Sequence, residues 1–289
     1  MSFFEEADSA GIVEDHINKV LKLEDSQQEI ILKQYKSIRQ ELVDKLSSAR
    51  AGSFTHQHLA GVLAQVQGAI SAMTSHLSGD MIEGSKIAAL QGIDHLIKEI
   101  NFFDKKFVGA VTPINLNAAL LANDTANLLV TRYKTNLDAY GANILAQVTN
   151  GLFSATLGET SYDEVVGRVA NFFNGEEWKL RRIVRTELHG LYNRGKIAGM
   201  QELKDDITDL KKTLIHPMDA RTGDDSKYAA SKHLVADMDK PFRYKWNDEW
   251  REFQVPPDRP NDRSVMVPYR EEWGEADGSA LLPGKFNEA

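Results

Sequence analysis

Seven of the eight prolines lie beyond Leu210, at positions 217, 241, 256, 257, 260, 268 and 283, and the residues before them hold only Pro113. Proline lacks a backbone N–H and clashes with the preceding helical turn, so a proline-poor stretch is free to run as helix. A proline-dense one is driven into turns, edge strands and extended segments. The expectation is a mainly α fold, an N-terminal helical bundle followed by a smaller α+β C-terminal region with a β-hairpin. Residues 1–150 then form the bundle or a set of partner-binding helices, 151–270 a second domain, and 271–289 a tail. The 289 residues suffice to bury a proper core, and 42% hydrophobic with 26% charged residues is an ordinary globular balance.

Apolar spacing carries the helical assignment. Ile12, Val13, Ile17, Val20 and Leu21, then Ile30, Ile31, Tyr35, Ile38, Leu42 and Leu46, predict helix over residues 10–50 with a break near Glu24 to Ser26. A second helix is expected over Thr55–Leu77, stopped by Ser78, Gly79 and Asp80, and a third over Met81–Phe103. Short connections make such helices antiparallel neighbours. Phe102 to Pro113 reads as a loop. Asn115–Asn150 reads as one long helix whose alanines, among them Ala122, Ala126, Ala139, Ala142 and Ala146, suit a central position where backbones approach closely. Ser161 followed by Glu164 is a capping-box pair opening a short helix that Gly175 closes.

The helix expected from Trp178 to Leu203 sets Leu180, Ile183, Val184, Leu188, Leu191 and Ala198 on one stripe, with Arg181, Arg182, Arg185 and Arg194 mostly outside it. Lys179, Arg181, Arg182, Arg185, Arg194 and Lys196 form the best basic patch in a chain of net charge −8. It reads as a solvated face or as a contact for phosphates or an acidic partner. Downstream, FRYKWNDEWREFQV alternates around Asn247-Asp248, which predicts a β-hairpin with its aromatics on one side. A further short strand is expected at Val265–Pro268.

This order of elements resembles the phage Mu F-like head-morphogenesis, or minor capsid, protein family. An Arg-Thr-Glu helix, an Asp-x-Arg-Thr turn, an aromatic hairpin and a closing element rich in proline follow one another over about residues 150–270. The residues that carry the likeness are Arg185, Thr186, Glu187 and Asn193 in the helix, Asp219, Arg221 and Thr222 in the turn, and Asn261 and Arg263 at the close. The family pattern closes on Asn-Cys-Arg-Cys. Here Asp262 and Ser264 stand at the cysteine positions, so hydrogen bonds are expected to do the closing. The resemblance implies a virion protein that docks on the portal or on the major capsid protein at the inner face of the shell. Such a protein would assist head assembly, DNA packaging or delivery, and would occupy the host cytoplasm during assembly. A DNA-contacting accessory head protein is the alternative, and an ADP-ribosyltransferase-like or toxin-like enzyme is a third reading.

Other chemistry finds little support in the residues. With no cysteine, disulfides, thiolate metal sites and a thiol nucleophile are excluded. His216, Asp219, Asp224, Asp225 and His233 match no compact ligand motif, and no metal or cofactor is expected. There is no glycine-rich phosphate loop, nucleophile elbow or His-Glu-x-x-His, so no catalytic residue is assigned. Arg185, Thr186, Glu187, Asn193, Asp219, Arg221, Thr222, Asn261 and Arg263 are instead expected to form a polar network that fastens the tail to the helix. No stretch approaches the roughly 20 apolar residues of a membrane span. The N-terminus lacks a basic region followed by an apolar run, so use without export is expected.

Overall fold

The computed structural model describes residues 7–48, 56–109, 116–127, 130–156 and 162–274. Helix accounts for 71% of these described residues, so the mainly α class with a small antiparallel β part holds. The elements are α1 (Ala7–Ser48), α2 (His56–Phe103) continued by a π-helical turn (Asp104–Val108), α3 (Ala118–Asn127), α4 (Val130–Thr156) and α5 (Tyr162–Glu202). They are followed by β1 (Lys211–Ile215), α6 (Asp224–Ala230), β2 (Val235–Asp237), β3 (Phe242–Trp246), β4 (Glu249–Phe253), β5 (Val265–Tyr269) and a 3-10 turn (Glu271–Trp273).

Three expected helix breaks are absent. α2 runs unbroken through Ser78-Gly79-Asp80, because Met73, Leu77 and Met81 continue one buried stripe across an exposed glycine turn. A mid-helix glycine costs only about 1 kcal/mol relative to alanine, less than a continuous apolar stripe recovers. Likewise α5 passes through Gly175, between buried Phe173 and Leu180. In α1 the segment at Glu24 is helix whose stripe turns polar, since Glu24 and Gln28 are themselves buried. Within Asn115–Asn150 the described residues form α3 and most of α4, and residues 128–129 between them lie outside the described residues. Thr55, Ser161 and residues 275–289 lie outside the described residues.

Two compact units emerge, each gathered from separate stretches: Met1–Asp25, Gly84–Leu128 and Arg185–Ala289 in one, Ser26–Glu83 and Leu129–Val184 in the other. The second is all helical. Its core is held by Tyr35, whose hydroxyl donates to the Phe173 carbonyl at 3.0 Å and accepts from the Tyr140 hydroxyl at 2.7 Å. Gly141 of α4 lies against Thr74 of α2, where an added Cβ would come within 2.8 Å of Thr74 Cγ2. Ala139, Ala142 and Ala146 point to solvent, so α4 is not the close-packed central helix that its alanines suggested.

The first unit joins helical segments to a three-stranded antiparallel sheet of order β2-β1-β5. Val13, Ile17 and Val20 of α1, Leu96, Ile100 and Phe103 of α2, Met200 of α5 and Leu203 just after it share one core with Leu214, Ile215 and β5. The close approach lies here, between α2 and α5. A Cβ on Gly92 would fall 2.0 Å from the Tyr192 carbonyl oxygen, and one on Gly195 2.2 Å from that of Ala89. At the end of α2, buried Asp104 accepts from Trp273 Nε1 at 2.9 Å and Arg270 Nη1 at 3.1 Å, fixing the segment after β5.

β1 and β2 have no counterpart among the expected elements. Two lysines open KKTLI, yet the Lys212 side chain is fully buried in β1. Its ammonium donates to the Gln254 carbonyl at 2.8 Å and sits 4.9 Å from the Phe242 ring centroid, and burial lowers its pKa to about 8. The β3–β4 hairpin forms as expected, with Asn247 and Asp248 at φ 49 and 65, the pair of positive angles that a two-residue type I′ turn needs. Its aromatics do not share one side. Phe242 and Tyr244 are buried, whereas Trp250, paired with Lys245, faces solvent beneath Arg243.

The α2–α5 crossing can be tested. Gly195→Ala forces a methyl into a backbone carbonyl and is expected to lower stability by about 3 kcal/mol in urea unfolding, the upper end of the usual overpacking cost. Gly175→Ala, with nothing within 4 Å of its added Cβ, is expected to raise it by up to about 1 kcal/mol. Equal effects at the two positions would contradict the close crossing.

Candidate functional site

One face of α5 carries polar side chains into the core. His189, Tyr192, Asn193 and Lys196 recur at helical spacing and are all fully or almost fully buried. Burying polar and charged groups is tolerated only where each finds a partner. Lys196 donates to both oxygens of Glu99 on α2, at 2.6 and 2.8 Å, and His16 of α1 meets the same carboxylate at 2.8 Å. His16 stacks on His95 with centroids 3.8 Å apart, and His95 Nδ1 lies 2.9 Å from the Tyr192 hydroxyl. Burial, helped by the adjacent cations, holds His95 neutral with a pKa of about 2. Burial also lowers Lys196, against the opposing pull of Glu99. Lys196 is therefore no surface cation, and its place in the expected basic patch is corrected: Glu99 draws it inward.

One turn back, His189 Nδ1 lies 2.7 Å from Glu24 Oε1 and its Nε2 2.8 Å from the Ser264 carbonyl oxygen. A carbonyl and a carboxylate can only accept, so both ring nitrogens donate and the imidazole is a cation. Burial works against that charge, but Glu24 and the Ser264 carbonyl outweigh it and raise the pKa above its ordinary value. Asn193 Oδ1 accepts from Met266 N at 2.8 Å while its amide donates to the carbonyls of His189 and Ser264. The start of β5 is thus fastened to α5 by side chains of the helix that bond its backbone.

The other residues that carried the resemblance gather at the same end of β5. Thr186 Oγ1 accepts from Asn261 N at 3.3 Å. Arg263 grips Asp219 with two parallel bonds of 2.7 and 2.6 Å, and that arginine holds the Asp219 carboxyl well below the usual carboxylate range. Asp219 also accepts from the Arg221 backbone, and Thr222 closes the turn on the Pro217 carbonyl at 2.6 Å. Glu187 is buried on α5. Arg185 departs from the expected arrangement, because its guanidinium faces Glu24 and Asp25 of α1, at 3.8 and 3.6 Å, rather than the Asp219 turn.

Hydrogen bonds do close the Asn261–Ser264 element. Asp262 Oδ1 accepts from both the backbone and the hydroxyl of Ser264, and Ser264 Oγ lies 2.6 Å from His216 Nδ1. The serine proton goes to Asp262, so His216 donates from Nδ1 and keeps a bare Nε2, which has no hydrogen-bond partner. A second set of charges adjoins it: Arg259 binds Asp258, Asp225 and the Ser226 hydroxyl, and Arg251 of the hairpin reaches Asp225 and Asp258. Between these groups lies a cavity of about 180 Å³. Among the described residues no group of three or more His, Asp or Glu is placed to hold a metal ion, and His233 is exposed at φ 50.

The remaining basic residues diverge. Arg181 pairs with Glu177 at 2.8 Å, whereas Arg182 and Lys179 flank the half-exposed Trp178, 4.7 and 5.8 Å from its ring centroid. His189 was missing from the expected site, and His216, weighed only as a metal ligand, instead joins Asp262 and Ser264 in closing the element. A one-turn spacing from Asn193 could have flagged His189, but nothing local marks His216.

Family models, curated proteins and solved structures offer no match to this chain. No helix among the described residues is long and apolar enough to cross a membrane.

The His189 cation makes a signed prediction. A base with a raised folded-state pKa stabilises fully below the ordinary value of 6.5 and ceases to do so as pH rises through the raised value. The stability gap between the wild type and His189→Gln should therefore narrow steadily above about pH 6.5. A gap that stays constant or widens in urea unfolding at rising pH would show a neutral imidazole.

Proposed function

We propose that this chain is a phage minor capsid or head-morphogenesis protein, docking on the portal or the inner capsid face and assisting head assembly, DNA packaging or delivery. The supporting observation is the convergence of segments far apart in sequence. Thr186 meets Asn261 and Asn193 meets Met266, while Asp219 of the Asp-x-Arg-Thr turn meets Arg263. The aromatic hairpin joins them through Arg251 and through Tyr244, whose hydroxyl donates to Asp258 at 3.1 Å. These segments carried the family resemblance, and their polar atoms are turned on one another. Such use of polar groups suits a rigid structural module.

Co-expression with the portal and major capsid proteins of the same phage tests this directly. The chain should sediment with assembled heads and be visible in their images at the portal vertex or inner shell. Recovery only as free protein, away from any particle, would overturn the proposal.

A DNA-contacting role is the second reading, favoured by the Lys179–Trp178–Arg182 surface. If packaged DNA touches it, Lys179→Gln with Arg182→Gln should reduce the salt slope of DNA binding by about two, roughly one for each phosphate no longer neutralised. An unchanged slope would exclude that surface.

A further inference from the structure

We propose that the cavity lined by His216, Arg221, Thr222, Arg259, Asn261 and Arg263 binds a single tetrahedral oxyanion of the phosphate class. Its volume of about 180 Å³ has room for such an ion and a few waters at about 30 Å³ each. The charge of the ligand follows from which hydrogen-bonding groups are already in use. Both lining carboxylates are occupied: Asp225 accepts from Arg259, Arg251 and the Ser226 backbone, and Asp262 from Ser264 and the Asp258 backbone. The guanidinium groups are not. Of the five N–H groups of an arginine, Arg263 engages two on Asp219, and Arg259 engages three on Asp258, Asp225 and Ser226.

The wall carries three cations, Arg221, Arg259 and Arg263, against the two carboxylates, an excess of positive charge that repels a metal ion and attracts an oxyanion. His216 adds a proton-linked donor. It is 4% exposed and lines the cavity, and of its two ring nitrogens Nε2 is the one without a partner. Burial holds the imidazole neutral, with a pKa of about 4, and the charges facing it are Asp262, Arg259 and Asp225. An anion beside Nε2 works against burial, because an opposite charge within about 4–6 Å favours the protonated form. Binding then draws a proton onto Nε2, which donates to the ligand.

This inference does not rest on the capsid reading. Its test is calorimetric titration of the full-length chain with inorganic phosphate near neutral pH, in buffers of different ionisation enthalpy. The expected result is saturable one-to-one binding of roughly millimolar affinity with net proton uptake. Arg221→Gln, at an exposed guanidinium, should weaken it about tenfold while the fold persists, and Arg243→Gln on the hairpin should leave it unchanged. A 5′-phosphorylated dinucleotide and its unphosphorylated form distinguish the source. Tighter binding of the phosphorylated one than of free phosphate marks a nucleic-acid terminus, and equal or weaker binding marks the free ion. Absence of saturation up to about 50 mM phosphate, well above the affinity expected of a small anion site, overturns the proposal. So does equal weakening by the two arginine variants. Binding without proton uptake removes His216 from it.

Discussion

The rest of the first unit depends on how closely the backbones of α2 and α5 approach. Gly92 lies against the Tyr192 carbonyl and Gly195 against the Ala89 carbonyl, so neither helix has a side chain at its own crossing point. That spacing brings Lys196 within reach of Glu99, and the Tyr192 hydroxyl within reach of His95. With ordinary side chains between the helices, Lys196 would be a buried cation without a counter-ion, which burial disfavours by several kcal/mol. The glycines and the buried charges are thus one device: close approach makes the ion pair possible, and the ion pair permits only that approach.

The same α5 face then passes from charge pairing to strand placement. Lys196 reaches α2, Asn193 reaches the backbone of β5, and His189 bridges α1 to the Ser264 carbonyl. An apolar face would tolerate sliding by a fraction of a turn at small cost. A stripe of donors and acceptors with fixed partners does not, since each misplacement leaves a buried polar group unsatisfied. The polar stripe therefore sets the register of β5 against the helix, and β5 in turn sets β1 through five paired positions.

Much of this architecture is legible in the sequence, and the exceptions have physical causes. Proline distribution separates the helical part from the strand-bearing one, and Asn247-Asp248 locates the hairpin, because both act through local backbone constraints. Glycine misleads as a helix stop at Gly79 and Gly175, where a continuous buried stripe outweighs a local penalty. Lysine misleads as a surface residue. Lys196 and Lys212 are both fully buried, one by a carboxylate 97 positions earlier and the other by a carbonyl 42 positions later. Long-range partners of that kind leave no local periodicity. The family resemblance points to Thr186, Asn193, Asp219, Asn261 and Arg263, which do converge. It gives no sign of His189 and His216, whose roles depend on Glu24 and Ser264 being brought to them.

The Asn261–Ser264 element is a loop closed without cysteine, and the manner of closure has chemical consequences. A disulfide or a thiolate-held metal would fix it by a few strong bonds. Here Asp262, Ser264, His216, Arg263 and Asp219 share the work among many hydrogen bonds, each worth about 1 kcal/mol net and somewhat more where charged. Bonds of that strength can be exchanged for water or for a ligand while the loop keeps its shape, which a covalent closure does not allow. The arrangement also leaves one wall with three arginines, Arg221, Arg259 and Arg263, against two aspartates, Asp225 and Asp262. The cavity beside His216 is therefore a consequence of how the loop is closed: framed by hydrogen bonds, with arginines in excess at its wall and the bare Nε2 of His216 without a partner.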